Sequence, residues 1–455
     1  MIHKFKLEDT RIALDVNSGA VHVIDDIVYD VLDYFSENSE EEIIKILNDQ
    51  YAEQDIKSAV NEIQALIDEG LLFTEDTYEQ HPAFLNRKPV VKALCLHIAH
   101  DCNIRCAYCF ASQGNFKGAR SLMSEDVGKK AIDFLIEHSG TRRNLEVDFF
   151  GGEPLMNFDV VKNIVAYGRA KEKETNKNFR FTMTTNGVLL DDEKMTYINE
   201  HMENVVLSID GRKDVNDQMR YSVNGSGTYD VIVPKFKKMI EKRGSKSYYV
   251  RGTFTRANLD FSKDVLHLAD LGFKNTSVEP VVAEADKEYA IKEEDMKTVF
   301  SQYEALAKEY VDRIRQGNGF NFFHFNIDLN QGPCVIKRLV GCGAGAEYVA
   351  ITPEGDIYPC HQFVGNEDFK IGSVIDQTFN NHLHEYFANA NVYTKEKCSK
   401  CWAKFYCSGG CHANAYNFHK DINVPYEIGC EMEKKRIECS IYIQAKLVDE
   451  EGMNG

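Results

Sequence analysis

The stretch Cys102-Asn-Ile-Arg-Cys106-Ala-Tyr-Cys109-Phe110 spaces three cysteines as C-x3-C-x2-C directly after an apolar run, 90–99. Three thiolates on one short loop can hold three irons of a four-iron cluster, and the fourth iron is then left without a protein ligand. The alternative is a zinc-binding loop, although zinc prefers four protein ligands in a closed site. The triplet therefore suggests a metal cluster with one open coordination position.

A second motif, Phe149-Phe150-Gly151-Gly152-Glu153-Pro154, ends the next strand-like run, 145–150. Two glycines at a strand end let the backbone approach a small ligand closely, and the adjacent carboxylate can accept a hydrogen bond from an ammonium group. The two motifs together resemble the radical S-adenosylmethionine (SAM) superfamily. That resemblance implies that the open iron chelates the amino and carboxylate groups of SAM, and that Gly151, Gly152 and Glu153 hold its amino group.

Composition and charge narrow the class of protein. The 455 residues are 43% hydrophobic and 27% charged, which is ordinary for a globular protein. We find no run of eighteen apolar residues and no signal-peptide region, so we expect a cytoplasmic protein without a membrane partner. The formal net charge of -18 argues against a nucleic-acid partner. Thirteen cysteines without an export signal favour metal ligation over disulfide bonds.

Residues 1–80 are predicted to form a small separate domain. Alternating apolar residues over 5–16 and 21–24, separated by the turn signal Asn17-Ser18-Gly19, predict a hairpin. Three helices follow, one opened by a Ser39/Glu42 capping box, and 71–73 is expected to return as a strand. This winged-helix pattern is either a DNA-binding module, which its acidic helices disfavour, or a peptide-recognition domain that pairs a strand edge with a leader peptide.

After a linker over 81–89, residues 90–316 alternate strand-like and helix-like segments. Strands are predicted at 90–99, 145–150, 179–185, 204–210, 247–255 and 274–280, with helices at 124–139, 191–202 and 228–243. The alternation predicts a parallel sheet in an α/β fold, and six repeats suit a partial (β/α)6 barrel, which the resemblance also implies. Parallel barrels carry their chemistry on the loops that follow the strands, where both motifs fall.

Two further strand ends are expected on the same face of the barrel, Thr184-Thr185-Asn186-Gly187 and Leu207-Ser208-Ile209-Asp210-Gly211. Small polar residues there suit a ribose or carboxylate site, which makes Asn186 a candidate ligand of SAM. The resemblance implies that Ser208 and Arg220 also help to bind SAM and that Tyr108 lies beside its adenine. Each residue has an alternative role in a capped turn or a surface salt bridge.

Residues 331–455 are rich in cysteine, glycine and aromatic residues. The cysteine spacing resembles the SPASM domain, a radical SAM extension with two auxiliary four-iron clusters, and a zinc knuckle is the alternative. The resemblance implies one cluster on Cys398, Cys401, Cys407 and Cys430, and another on Cys342, Cys360 and Cys411. The fourth ligand of the second cluster is either Cys334 or a substrate thiolate. Cys95 and Cys439 are expected to be structural.

The order of recognition domain, radical SAM barrel and SPASM domain resembles thioether-forming maturases of ribosomally made peptides, most closely those of SCIFF peptides. The resemblance implies SAM and three [4Fe-4S] clusters as cofactors, a Cys-rich precursor peptide as substrate, and flavodoxin or ferredoxin as the low-potential electron donor. The expected reaction joins a cysteine sulfur to a carbon, of threonine in the SCIFF family, through a 5′-deoxyadenosyl radical. No catalytic residue is assigned beyond the cluster and SAM.

Three other functions fit parts of this pattern. A sulfatase-type maturase, which makes formylglycine, shares the barrel and SPASM portions, but the extra N-terminal domain speaks against it. A peptide epimerase or carbon–carbon crosslinker fits the same architecture. An iron-sulfur winged-helix regulator would bind DNA and turn over no SAM.

Overall fold

The computed structural model describes residues 1–327, 329 and 335–453. The chain begins with a three-stranded antiparallel sheet in the order β1-β2-β3, followed by three helices. These elements are β1 (Ile2–Leu7), β2 (Thr10–Asp15), β3 (Val21–Ile24), α1 (Asp26–Val31), α2 (Glu40–Leu47) and α3 (Glu53–Asp68). The predicted capping box is present at the start of α2, where the Ser39 backbone N–H donates to the Glu42 carboxylate at 2.8 Å.

Two local predictions in this region are wrong. The first apolar run is two strands, because Glu8 adopts a left-handed φ of 53° and turns the chain between β1 and β2. The segment 71–73 forms no strand, so α3 is not followed by a wing. Side chains hold the chain there instead: the Asp15 carboxylate accepts the Thr74 backbone N–H at 3.0 Å, and Asn17 donates to the Thr74 carbonyl at 2.6 Å.

All six predicted barrel strands are present. They are β4 (Ala93–Ala99), β6 (Asn144–Gly151), β7 (Asn178–Thr185), β8 (Asn204–Ser208), β10 (Tyr249–Phe254) and β11 (Asn275–Pro280). They lie side by side in parallel, and short β12 (Asn321–Phe322) extends the sheet beyond β11. Two short strands, β5 (Ile104–Cys106) and β9 (Arg220–Ser222), form a separate ladder. The result is an α/β fold with a large, mainly parallel sheet, which is typical of a partial barrel.

Helices connect the barrel strands, and the predicted ones are confirmed within two residues. The helices of this part are α5 (Glu125–His138), α6 (Phe158–Glu174), α7 (Asp192–His201), α8 (Lys213–Met219), α9 (Tyr229–Arg243), α10 (Phe261–Asp270) and α11 (Met296–Arg315). Short 3-10 turns lie at Ser112–Gly114, Pro154–Asn157, Arg256–Asn258, Glu293–Asp295, Phe323–Phe325 and Glu367–Phe369.

The C-terminal part adds strands to the barrel sheet. Strand β13 (Tyr348–Ile351) pairs in parallel with β4, and β14 (Asp356–Tyr358), β15 (Gly372–Ser373) and β16 (Thr378–Phe379) continue the sheet in antiparallel fashion. Its helices are α12 (Val335–Val340), α13 (Asn381–Ala388), α14 (Glu396–Ser399), α15 (Lys404–Cys407), α16 (His412–His419) and α17 (Glu427–Met453). None of the helices in the described ranges combines the length and apolar character that crossing a bilayer requires.

The N-terminal sheet is packed onto the rest of the protein. Phe5, Ile12 and Leu14 are buried in the same apolar cluster as the barrel strands, whereas α1, α2 and α3 form a smaller core of their own. The predicted linker contains a helical turn, α4 (Pro82–Leu85), and Arg87 beside it forms an ion pair with Glu347 at 3.2 Å. The shared core therefore ties the first strands to the barrel and to the C-terminal part.

Candidate active site

The cysteine triplet follows β4 and is fixed by the ladder between β5 and β9. In this antiparallel pairing Cys106 lies opposite Arg220, and the Ala107 N–H donates to the Met219 carbonyl at 2.8 Å. The Cys102 N–H donates to the Asp101 carboxylate at 2.8 Å, which fixes the start of the loop. The ladder thus brings the triplet next to an arginine more than a hundred residues away in the sequence.

The glycines of the second motif have a structural role. A Cβ on Gly152 would lie 2.0 Å from the Asp101 carbonyl oxygen, and a Cβ on Gly151, whose φ is 117°, would lie 2.4 Å from the Ala99 carbonyl oxygen. Only glycine fits such close backbone contact. The two glycines therefore let the end of β6 pack against the chain that leads into the cysteine triplet, in addition to leaving a ligand room.

One cavity lies at the carboxyl ends of the barrel strands, with an empty volume of about 720 Å³ that opens to solvent. Most of the residues predicted for the SAM site line it. Those residues are Cys102, Cys106, Tyr108, Cys109, Gly151, Gly152, Asn186, Ser208 and Arg220. Glu153 is predicted for the same site but lies behind the cavity wall. Residues that were predicted from five separate stretches of sequence thus meet at one place.

Glu153 is fully buried and is held by the protein itself. Its carboxylate accepts the Leu155 N–H at 3.0 Å, the Thr185 hydroxyl at 2.8 Å and the Asn186 N–H at 2.8 Å. Burial raises its pKa, although these hydrogen bonds oppose the shift. A carboxylate offers about four acceptor positions, so about one stays free for a ligand. Its predicted contact with the SAM amino group stays a prediction.

Tyr108, Arg220 and Asp210 form a buried polar group at the cavity. The Arg220 guanidinium donates to the Tyr108 hydroxyl at 3.0 Å, and that hydroxyl donates to the Asp210 carboxylate at 2.8 Å. Burial raises the pKa of Asp210 to about 6, although Arg220 and the donors to the carboxylate oppose the shift. Sequence reasoning missed Asp210, although it is part of the Ser208-Ile209-Asp210 strand end that was singled out.

The side chains present fit a cluster and a zwitterionic ligand. Burial raises the pKa of Cys102 to about 12 and that of Cys106 to about 11, so these thiols are protonated unless a metal displaces the protons. Asn186 donates to Asn103 at 2.8 Å and lies 3.7 Å from the Cys102 sulfur. The buried Nε of Arg220 has no hydrogen-bond partner among the described residues, which fits a ligand carboxylate.

A second cavity, of about 340 Å³ empty volume, lies in the C-terminal part. The four cysteines predicted for one auxiliary cluster line it together: Cys398, Cys401, Cys407 and Cys430. Burial raises the pKa of Cys407 to about 12, and the nearby Cys430, Cys398 and Cys401 add to the shift. The fold therefore gathers these thiols from α14, the turn that follows it, α15 and α17.

The cysteines predicted for the other auxiliary cluster are also neighbours. Cys360 is buried, whereas Cys342 and Cys411 are accessible to solvent. Burial raises the pKa of Cys360, and Cys411 and Cys342 raise it further. Cys334 lies outside the described residues. Among the described residues no three His, Cys, Asp or Glu side chains lie close enough to hold one metal ion. This finding does not bear on a four-iron cluster, because its cysteines bind separate irons and stand farther apart than the ligands of one ion.

Cys95 and Cys439 lie in the sheet and in the last helix. Both are buried, Cys95 in β4 and Cys439 in α17. Their predicted structural role stays a prediction. A buried cation that sequence reasoning missed, Lys395, lies between the two groups of C-terminal cysteines.

Comparison with known proteins identifies the family. Residues 91–232 match the model of a 4Fe-4S single cluster domain, and residues 342–402 match SPASM, an iron-sulfur cluster-binding domain. The chain is 24% identical over 367 residues to a cysteine-type anaerobic sulfatase-maturating enzyme of Clostridium novyi, which covers 75% of this chain and 92% of that protein. These matches support a radical SAM enzyme with a SPASM domain as the class of this chain.

Solved structures share the fold of this radical SAM enzyme. Native anSMEcpe with bound AdoMet matches with a TM-score of 0.64 and 18% identity over 78% of this chain and 99% of that chain. Streptococcus suis SuiB bound to the precursor peptide SuiA matches with a TM-score of 0.55 and 17% identity over 94% of this chain and 98% of that chain. The two cluster-binding models and the similarity to a structure with bound AdoMet support SAM and 4Fe-4S clusters as cofactors.

Proposed function

We propose that this radical SAM enzyme installs a thioether, from a cysteine sulfur to a carbon of threonine or another residue, in a ribosomally made Cys-rich precursor peptide. The observation that carries the proposal is the gathering of ten cysteines into three groups, one at the SAM cavity and two in the C-terminal part. When bound, SAM on the first cluster supplies a 5′-deoxyadenosyl radical that can take a hydrogen atom from the peptide.

The proposed cluster ligands follow these three groups. Cys102, Cys106 and Cys109 hold the cluster that binds SAM. The group of Cys398, Cys401, Cys407 and Cys430 holds one auxiliary cluster. The group of Cys342, Cys360 and Cys411 holds the other, whose fourth ligand is a substrate thiolate or Cys334. The accessibility of Cys342 and Cys411 supports the substrate thiolate, because a peptide sulfur needs a path to that iron.

The residues around the cavity bind and orient SAM in this proposal. Arg220 pairs with the SAM carboxylate through its free Nε, while Tyr108 and Asp210 fix the guanidinium. Ser208 and Asn186 supply further polar contacts, and Gly151 and Gly152 form the wall nearest the amino group, with the Glu153 carboxylate buried behind them. Tyr108 turns its hydroxyl toward Asp210 and leaves its ring for the adenine.

A peptide substrate is supported by the relatives and by the first sheet. SuiB, which matches nearly all of this chain, binds a precursor peptide. In this chain β3 pairs only with β2 among the described residues, so its outer edge is open to an extended strand, and Val23 on it is 50% exposed.

We propose that 1–80 is a leader-recognition domain, 90–316 the barrel and 331–455 the SPASM domain. A bound leader would keep the modified segment at an effective concentration of order mM.

The product distinguishes this function from its rivals. The reconstituted holoenzyme is mixed, without oxygen, with a Cys-rich precursor peptide of the proposed class, SAM and reduced flavodoxin or ferredoxin as the proposed donor. The proposal predicts a product that has lost two hydrogens and whose crosslinked sulfur stays blocked after reduction and alkylation. An unchanged mass, as an epimerase would give, contradicts it.

Formylglycine formation is the second candidate, favoured by the similarity to sulfatase-maturating enzymes. That reaction replaces the cysteine sulfur by oxygen, so the same mass measurement separates the two. About a fifth of this chain has no counterpart in anSMEcpe. This extra length supports a substrate that needs a recognition element beyond the barrel and the SPASM domain.

A further inference from the structure

Lys395, the residue before α14, is a buried cation without a carboxylate partner. Its side chain is only 1% exposed, and its Nζ donates to the Gly409 carbonyl at 2.7 Å and lies 3.3 Å from the His412 Nδ1. No Asp or Glu of the described ranges lies within ion-pair distance of it. Lys404, another buried lysine nearby, has Asp76 at 2.8 Å. Burying an unpaired charge is costly, so Lys395 requires another source of negative potential.

The two C-terminal cysteine groups supply that potential when their sulfurs are held as thiolates. The carbonyl of Lys395 accepts the N–H of Cys398, and its side chain bonds the carbonyl of Gly409, which lies between Cys407 and Cys411 in the sequence. Burial lowers the pKa of the ammonium, while Cys398 and Cys407 from one group and Cys411 and Cys342 from the other oppose that shift. Lys395 thus contacts the backbone of segments that carry cysteines of both groups.

We propose that Lys395 is a positioning residue placed between the two auxiliary cluster sites, where its positive charge makes the addition of an electron to either one more favourable. The inference rests on the proposed function, which assigns clusters to these cysteines. Each added electron makes a site more negative by one charge, and a buried cation close by stabilises that charge strongly because the surroundings screen it poorly.

The proposed reaction needs such an acceptor. When a carbon radical and a thiol form a C–S bond, the S–H bond breaks, and one proton and one electron leave. The proton passes to solvent or a nearby base, and the electron lowers an oxidised four-iron site from the 2+ to the 1+ level. Lys395 favours this transfer by raising the reduction potential of the receiving site.

A purely structural role is the competing explanation. Ser408, Gly409 and Gly410 all have left-handed φ values, of 58°, 87° and 70°, and the ammonium could serve only to hold this loop. Glutamine in place of the lysine can still donate a hydrogen bond but carries no charge. Arginine keeps the charge with a different shape. Comparing these replacements separates charge from tethering.

The test is a reductive titration of the anaerobic holoenzyme followed by EPR, with iron content measured in parallel. Lys395→Gln and Lys395→Met are expected to make reduction of both auxiliary sites at least tenfold less favourable, a shift of about 59 mV to lower potential for one electron. In Lys395→Arg the potentials of both auxiliary sites should return most of the way to those of the unaltered enzyme. The cluster at the SAM cavity should keep its potential and serves as an internal reference.

The control is Lys446→Met, which removes the same charge from a side chain of α17 paired with Asp9 at 3.0 Å; its potentials should match those of the unaltered enzyme. Unchanged auxiliary potentials in Lys395→Gln would overturn the proposal. If both neutral variants lose auxiliary iron while Lys395→Arg retains it, the charge requirement is supported. If Arg loses it too, tethering explains the residue and the proposal fails. Absence of auxiliary clusters from the unaltered enzyme would instead refute the proposed function.

Discussion

Cys106 lies directly opposite Arg220 in the short antiparallel ladder of β5 and β9. The same arginine donates to the Tyr108 hydroxyl at 3.0 Å, and its buried Nε has no hydrogen-bond partner among the described residues. One backbone pairing therefore places a cation beside the cysteine triplet and in the lining of the cavity where SAM is proposed to bind.

Replacing Arg220 should weaken SAM binding. Removing one partner of a buried, hydrogen-bonded charge pair costs about 2 kcal/mol or more, which is about a 30-fold rise in Kd. We expect Arg220→Ala to show this loss by anaerobic calorimetry, and Arg220→Lys to show a smaller one. Iron content should not change in either variant. Unaltered SAM affinity in Arg220→Ala would show that the guanidinium does not contact the ligand.

Replacing Glu153 should destabilise the protein. In Glu153→Gln the NH2 group of the amide would face donors that now bond the carboxylate. One buried polar group left without a hydrogen bond lowers the free energy of unfolding by about 1–3 kcal/mol. We expect a lower thermal midpoint in anaerobic melting. The control is Glu146→Gln on β6, the strand that leads to Glu153; its 43% exposed side chain pairs with Arg180, and its loss should change stability by about 0.5 kcal/mol or less. Equal thermal midpoints of the two variants would contradict this role for Glu153.

The sequence predicts the barrel well because each strand carries its own apolar pattern. Leu94, Leu96 and Ile98 in β4 are fully buried, as the apolar run at 90–99 indicates. The predicted strand at 71–73 is absent, and the chain directly after it is held by the side chain of Asp15, far away in the sequence, which accepts the Thr74 N–H. Lys395 and Asp210 were missed as functional residues for a related reason. Their importance comes from neighbours that only the fold brings close.

Asp15 should hold the first sheet to the segment after α3. Burial would raise its pKa, but hydrogen bonds from Ser18 and Thr74 outweigh burial and hold the pKa below its usual value. The charged carboxylate therefore accepts charge-assisted hydrogen bonds at neutral pH. We expect Asp15→Asn to speed amide hydrogen exchange in β2 and at Thr74 by about tenfold. Asp9→Asn, an exposed change in the same sheet, should leave exchange unaltered, and equal effects of both would contradict the prediction.

A charge on the edge strand β3 should impair peptide modification and spare SAM chemistry. Val23 is 50% exposed, and an aspartate there would have to be desolvated beneath a bound leader. We expect Val23→Asp to raise the KM for the peptide at least tenfold. Release of 5′-deoxyadenosine measured without the peptide should not change. Val231→Asp on α9, where valine is 46% exposed, is the control. Deletion of 1–80 is a poorer test, because it would expose the core that Phe5 and Leu14 share with the barrel. A peptide KM that stays the same in Val23→Asp would argue against leader binding at this edge.

Anaerobic iron analysis of a variant that lacks the triplet tests the central claim most directly. The unaltered enzyme should hold about twelve irons per chain in three four-iron clusters. Replacement of Cys102, Cys106 and Cys109 by alanine should leave about eight irons and abolish release of 5′-deoxyadenosine with a strong reductant. Zinc in place of iron in the unaltered enzyme, or continued release of 5′-deoxyadenosine by the variant, would contradict the account.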